Sequence, residues 1–214
     1  MKIQRSLMSE KYRETDEKIL VIARRMFAQR GIVNVEMKDI CLEIGCSRST
    51  LYRHYSSKEE ILIDLTHESV RKIMDAAIIP PRMTFENGYE ALSWQLRSQM
   101  NYMMNNTDEV IFIRDFDYFF TKNIPTTPQG KEFEENMSKN RGRDELLGSL
   151  KKGINDGSIH QVNDLDLTIY TLVNTCIAIS QRILPRESIY RTEVGYGREM
   201  IEDSVNMLLQ GLKN

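Results

Sequence analysis

Residues 37–60, MKDICLEIGCSRSTLYRHYSSKEE, read as two short helices joined by a tight turn. Met37, Ile40, Cys41 and Ile44 recur at i, i+3, i+4 and i+7, the spacing of one buried helical face. Gly45 has no Cβ and takes the left-handed conformation that ends such a helix. Cys46 fills the turn. Ser47 is an N-cap whose hydroxyl accepts from an orphan amide of the next helix. In that second helix Leu51, Tyr52 and Tyr55 supply an inner side, leaving Arg48, Ser49, Thr50, Arg53 and His54 facing outward. The pattern is a helix-turn-helix, and its outward set suits the major groove of duplex DNA. Arginine reaches guanine O6 and N7, and Ser or Thr reaches several base edges. Tyr, His and Lys hold phosphates and fix register. Arg48, Ser49, Thr50 and Arg53 are therefore the candidates for bases, and Tyr52, His54 and Lys58 for phosphates. Lys38 and Ser47 complete the candidate DNA-binding set.

The flanks extend the pattern. Thr15 is placed to cap a first helix whose opening turn carries Asp16 and Glu17, next to the positive dipole end. Ile19, Ile22, Ala23, Met26 and Phe27 form its apolar stripe, and Gly31 ends it. This helix completes a three-helix core. Ser57 to Glu60 is a capping box, opening a long helix that Pro80-Pro81 stops. Beyond it the periodicity predicts helices over 85–105, 108–121, 131–153, 164–184 and 194–212. A loop falls at 121–130 and a turn at Asn155-Asp156-Gly157. No stretch alternates with period 2. The expectation is an all-α fold: a three-helix DNA-binding head at 1–57 and a helical body at 58–214, with 58–79 as the connecting helix.

The 214 residues, 41% hydrophobic and 28% charged, are enough for a sizeable core. No apolar run approaches the ~18 to 20 residues that span a membrane, and the N-terminus lacks a secretory core. A cytoplasmic protein without a membrane span is expected. Three cysteines, Cys41, Cys46 and Cys176, fit reduced thiols better than a disulfide framework. Cys41 and Cys46 lack typical zinc spacing, so neither a metal nor a cofactor is expected. Residues 1–60 carry 12 Lys and Arg against 9 Asp and Glu, a net +3, while the remainder carries 17 against 22. A basic head on an acidic body suits a chain that meets DNA with one end. His54, His67 and His160 lie on separate segments, and no phosphate-binding loop, nucleophile elbow or zinc-protease motif is present. No enzyme is expected.

In the body, Trp94, Met100, Met104, Phe112, Phe116 and Tyr170 are candidates to line a small-molecule pocket, with Asn174 as its polar group. Methionine adapts to varied apolar shapes, and ligand pockets are mostly apolar with a few polar groups. The stretch 164–184 is apolar almost all round and needs cover on both sides. A second copy of the chain supplies it, giving a homodimer through 164–184 and 194–212. The alternative is a body that binds a protein partner, or only dimerises, with no small ligand.

The segments ILVIARRMFAQRG and MKDICLEIGCSRSTLYRHYSSKEEIL resemble the TetR family of bacterial transcriptional regulators over roughly residues 15–65. Tyr52, Arg53, His54 and Lys58 stand where that family places Tyr-x-His-Phe and Ser-Lys-Glu. The resemblance implies an all-helical homodimer, an N-terminal head on a pseudo-palindromic operator, and repression released by a small-molecule effector bound in the body. One departure stands out. Val35 and Glu36 occupy positions where the family often has Thr or Ser, so a hydroxyl cap and a phosphate contact are missing. Asn34 is the substitute cap, and Glu36 is repulsive toward a phosphate.

Overall fold

The structure, a computed structural model, describes residues 10–122, 130–133, 135 and 140–214. Among these there is no strand, only an isolated bridge between Ile159 and Lys213. The helices are α1 (Glu10–Arg30), α2 (Met37–Ile44), α3 (Arg48–His54), α4 (Lys58–Asp75), α5 (Gly88–Asn105), α6 (Thr107–Phe119), α7 (Arg141–Asp156), α8 (Leu165–Ile183), α9 (Glu187–Val194) and α10 (Arg198–Gln210). They divide into two compact units: residues up to Glu68 with 115–134, and Ser69–Arg114 with 135–214. The first unit thus keeps α4 as far as Glu68 and takes the end of α6 as well.

The first unit is built on α1, which packs on α2 as α2 does on α3; Ile19, Ala23, Met26 and Phe27 of α1, Ile40, Cys41 and Ile44 of α2 and Leu51 of α3 are all buried. Gly31 leaves α1 at φ 78°, a turn that any Cβ would strain. Thr15 does not cap this helix. The helix already runs from Glu10, and the Thr15 hydroxyl donates to Lys11 O at 2.9 Å. The expected box at Ser57 closes one residue wide: Ser57 Oγ accepts from Glu60 N, while the Glu60 carboxylate accepts from Ser56 N at 2.7 Å.

In the second unit α5 and α7 approach backbone to backbone. A Cβ on Gly88 would overlap the main chain of Gly153, and one on Gly142 would overlap Met74 O. Asp156 fastens the crossing by accepting from Gly88 N at 2.8 Å, and Ser158 Oγ accepts from Tyr89 N at 3.1 Å. Leu92, Leu96, Leu146, Leu150, Ile201 and Val205 fill the core beneath.

Three expected helices differ in the structure. The span 131–153 is helical at 130–133 and 135, then restarts at Arg141. Asn140 is extended there, and its side chain accepts from Gly142 N at 2.9 Å. Pro185 does not end the helical path. It sits at the start of a 3-10 turn, Leu184–Arg186, where proline's missing N–H costs nothing, and α9 follows. The span 194–212 begins only at Arg198, because Gly195 turns left-handed at φ 81°. The stretch Leu165–Val194 is apolar and long enough to cross a membrane by length and composition, unlike the expectation. Its Ile169, Leu172, Cys176 and Ile183 lie in the core of the second unit. Most of the expected loop at 121–130, and the residues before Glu10, lie outside the described residues.

Candidate nucleic-acid interface

The turn between α2 and α3 forms by local rules. Gly45 is left-handed at φ 73°, and its N–H, with that of Cys46, returns to Cys41 O. Ser47 is extended and its hydroxyl accepts from Thr50 N at 3.1 Å, which caps α3. The same hydroxyl lies 2.9 Å from Ser49 Oγ and 2.8 Å from Thr50 Oγ1, so Thr50 is half-buried and tied to the cap. Leu51 and Tyr55 anchor the inner side, and the Tyr55 hydroxyl donates to Asp64 at 3.1 Å.

Two side chains exchange the places expected of them. Tyr52, expected inside, is 51% exposed. His54, expected outside, has a side chain only 1% exposed. Its Nδ1 lies 3.2 Å from Asp16 Oδ1, and its ring stacks on Tyr12 at 3.9 Å. The reason is α1: Tyr12 and Asp16 reach across to the end of α3, and the Tyr12 hydroxyl also donates to Arg53 O. In this geometry His54 holds α3 on α1 and is not presented to a phosphate. Nothing local signals these partners, which lie 38 and 42 residues earlier in the sequence.

The exposed face of α3 is therefore Arg48, Ser49, Tyr52 and Arg53. Beside it is a cleft of about 480 Å³ lined by Glu36, Lys38, Arg48, Tyr52, Ser57 and Lys58, among others. The structure thus brings Lys38, Arg48, Tyr52 and Lys58 together, while Ser49 and Arg53 do not line this cleft. Lys58 is partly committed: its Nζ donates to Ile32 O at 2.9 Å and sits 5.1 Å from the Phe119 ring centre.

Glu36, not Asn34, caps α2. Its side chain accepts from Asp39 N, while Asp39 accepts from Glu36 N at 2.9 Å. The Asn34 side chain instead donates back to Arg30 O. Glu36 also pairs with Lys38 at 2.7 Å, and this hydrogen bond and charge push the Lys38 ammonium pKa above its ordinary value. The carboxylate in the cleft is a cap as well as a charge, a role that the absent hydroxyl had hidden in the sequence.

The candidate pocket residues of the body are scattered. Met100 and Met104 belong to the core of the second unit. Phe112 is buried, and Trp94 is half-buried with its ring 5.9 Å from that of Phe85. Phe116 falls in the first unit, packed on Phe120 and Phe133. Tyr170 and Asn174 are exposed on α8, not turned into a pocket. Asn174 donates to Tyr170 O, and the Arg143 guanidinium sits 5.3 Å from the Tyr170 ring centre. The helix periodicity put both on an apolar helix but did not say which side faces in. Among the described residues no group of three or more His, Cys, Asp or Glu is placed to hold a metal ion.

Residues 19–65 match the family described as bacterial regulatory proteins, tetR family. An uncharacterized HTH-type transcriptional regulator of Mycobacterium tuberculosis is 37% identical over 57 residues, 27% of this chain and 28% of that protein. The chain thus spans little more than a quarter of that relative. The HTH-type transcriptional repressor KstR2 of Mycolicibacterium smegmatis is 24% identical over 173 residues, 78% of this chain and 77% of that protein. A crystal structure of a tetR-family regulatory protein from Rhodococcus RHA1 superposes with a TM-score of 0.67 at 17% identity, covering 96% of this chain and 98% of that one. Its likeness is one of fold, head and helical body together. The head's cap, turn and inner side are all formed by the residues that match, so residues 19–65 carry the DNA-binding head of the tetR family, and the chain as a whole is similar to TetR-family transcriptional regulators.

Proposed function

We propose that the chain is a cytoplasmic transcriptional repressor, not an enzyme, that reads duplex DNA through α3. The observation that carries this is the row of exposed Arg48, Ser49, Tyr52 and Arg53 on a capped helix beside a cleft with three cationic side chains. Arg48 and Arg53 have the donors for guanine edges. Lys38, Tyr52 and Lys58 serve phosphates, with Ser47, Ser49 and Thr50 fixing the start of the helix. Lys58, with one donor on Ile32 O, keeps two for a phosphate.

Two heads reading a pseudo-palindrome require a two-fold dimer. The surface that suits it is a groove of about 650 Å³ between α8 and α10, lined by Leu167, Thr171, Leu172, Thr175, Met207 and Leu208 among others. Leu167 and Met207 are 64% and 67% exposed, more than large apolar side chains favour in water. Tyr170 and Asn174 lie on the exposed part of α8 and belong with this surface. An apolar effector in the body remains part of the reading. Such a molecule releases DNA only through its differential affinity for the two states.

One experiment tests the proposal. Duplexes are selected from a random library with the wild type, then titrated with the Arg48→Ala/Arg53→Ala variant. Each lost bidentate contact should cost ~1 to 3 kcal/mol of discrimination, while weak sequence-independent binding persists. Full affinity and specificity in the double variant would remove the assignment. In parallel, Leu167→Glu/Met207→Glu should sediment as a monomer and lose the selected duplex. A wild type that is itself monomeric at micromolar concentration sinks the dimer.

A further inference from the structure

Of the three cysteines, two meet inside the turn that aims α3. The Cys46 thiol lies 3.9 Å from the sulfur of Cys41, and the Cys41 thiol donates to Cys46 O at 2.9 Å. Cys46 N also donates to Cys41 O at 3.2 Å. The pair is therefore held together by main chain and side chain alike. Cys41 is buried in the head, and Cys46 is partly open to solvent. The third, Cys176, is buried in α8, where burial pushes its thiol pKa up to about 11. It is an internal control that does not share the arrangement.

From this juxtaposition we propose that Cys41 and Cys46 are a modification site: a peroxide oxidises them to an intramolecular disulfide that displaces α3 and releases DNA. The proposal rests on the DNA-binding reading above. A disulfide needs its sulfurs about 2.05 Å apart, so the thiols must close by roughly 1.9 Å. Cys41 is packed in the core, so Cys46 and the turn must move. Next to Cys46 is Ser47, the cap of α3, with its hydroxyl on Thr50 N. α3 has seven residues, and its capped end carries Arg48 and Ser49. A change in the turn is thus delivered directly to the groove-facing side chains. The bond also removes the Cys41 thiol as donor to Cys46 O.

The chemistry balances with hydrogen peroxide as the oxidant. The Cys46 thiolate attacks one peroxide oxygen, the O–O bond breaks, and the leaving hydroxide takes up the proton the thiol gave, forming water. The Cys46 sulfenic acid is then attacked by the Cys41 sulfur. The S–O bond breaks, the S–S bond forms, and the departing hydroxide leaves as a second water with the Cys41 proton. Two thiols lose two electrons and two protons, and one peroxide becomes two waters. Burial, then the hydrogen bond with Cys41, push the Cys46 thiol pKa above its ordinary value, with the charge of Lys18 opposing. Oxidation is therefore slower than at a low-pKa thiol and is read at its end point.

The test uses the full chain. Reduced protein selects a duplex from a random library. The protein is then treated with hydrogen peroxide; one portion is titrated intact against the same duplex, and another is digested with trypsin under non-reducing conditions. Cys41 and Cys46 share the tryptic peptide 39–48, so the bond appears as that peptide two hydrogens lighter. The expected result is this product, an affinity lower by about ten-fold or more, recovery with dithiothreitol, and no peroxide response in Cys46→Ser. Cys176→Ser should respond as the wild type does. Absence of the cross-linked peptide overturns the site. A cross-linked protein that binds as the reduced one does overturns the release. An equal loss of affinity in peroxide-treated Cys46→Ser also overturns it, by assigning the effect to other residues. A reduced protein that binds no duplex fails the underlying DNA reading, and the release with it, while the peptide still decides whether the bond forms.

Discussion

The two units of this chain are specified over different sequence distances. In the first, the decisive contacts are a few residues long: Gly45 to Cys41, Ser47 to Thr50, Glu36 to Asp39. In the second, Gly88 meets Gly153 and Asp156, and His160 meets Gly211, across more than fifty residues. Caps and turns can be read from residue type because the partner is already in the window. A helix crossing cannot, because what matters is the missing Cβ on a partner far away in sequence. The head is thus the part whose shape its own local sequence declares, and the body the part whose shape depends on packing.

The largest expected effect separates these two kinds of glycine. Gly88→Ala places a Cβ into the main chain of Gly153, which has no flexible end to yield. Overpacking of this kind should cost ~3 kcal/mol or more. Gly148→Ala, in α7 like Gly153 but with nothing near its Cβ, should be neutral or stabilise by up to ~1 kcal/mol through helix propensity. Urea unfolding of both variants checks the contrast. If the two behaved alike, close approach would not be what sets the body.

The same distinction explains what could be read in advance. The helix-turn-helix, the cap at Ser47 and the inner places of Leu51 and Tyr55 follow from spacing alone. The exchange of Tyr52 and His54 does not, because a seven-residue helix has too few positions to define its faces. Tyr12 and Asp16 decide the matter from α1. Likewise Val35 and Glu36 pointed to a missing hydroxyl cap, but a carboxylate caps as well when Asp39 completes the box. In the body, Met100 and Met104 are core, as a methionine stripe at helical spacing ordinarily is. Tyr170 and Asn174 faced outward because α8 meets the rest of its unit through Ile169, Leu172, Val173 and Cys176. An almost uniformly apolar helix offers no sequence contrast from which to choose that side.

An intermediate effect probes a place where the head depends on a distant residue. Asp16→Ala leaves buried His54 Nδ1 without its carboxylate partner. A buried polar group stripped of its partner costs ~1 to 3 kcal/mol. Had His54 faced solvent, the change would sit within about ±0.5 kcal/mol. Chemical denaturation of this variant, with duplex titration alongside, tests whether α1 holds the recognition helix in place. A near-neutral result in both would return His54 to the surface and to the phosphate-binding set.

The smallest expected effect is a pH dependence in the body. His160 Nδ1 lies 2.8 Å from Gln161 O, and its Nε2 lies 2.7 Å from Gly211 O. Both partners are carbonyls, which only accept, so both ring nitrogens must donate, and only the imidazolium does that. The Gln161 contact first, then the Gly211 contact, raise the folded pKa above 6.5. A raised histidine pKa stabilises the folded state fully below 6.5, and the contribution is lost as pH rises through the folded value. His160→Gln should therefore be less stable than the wild type at mildly acidic pH, with the gap narrowing toward alkaline pH. Because the ring is open to solvent, screening keeps the gap small, and the sharper measurement is the NMR titration of the imidazole itself. A midpoint at or below 6.5 would mean that the ring does not bridge the two carbonyls in solution. The long-range tie between the residues before α8 and those after α10 would then rest on His160 N to Leu212 O, the Ile159–Lys213 bridge and the bonds from Asn214 to Ser158 O and Gly157 O.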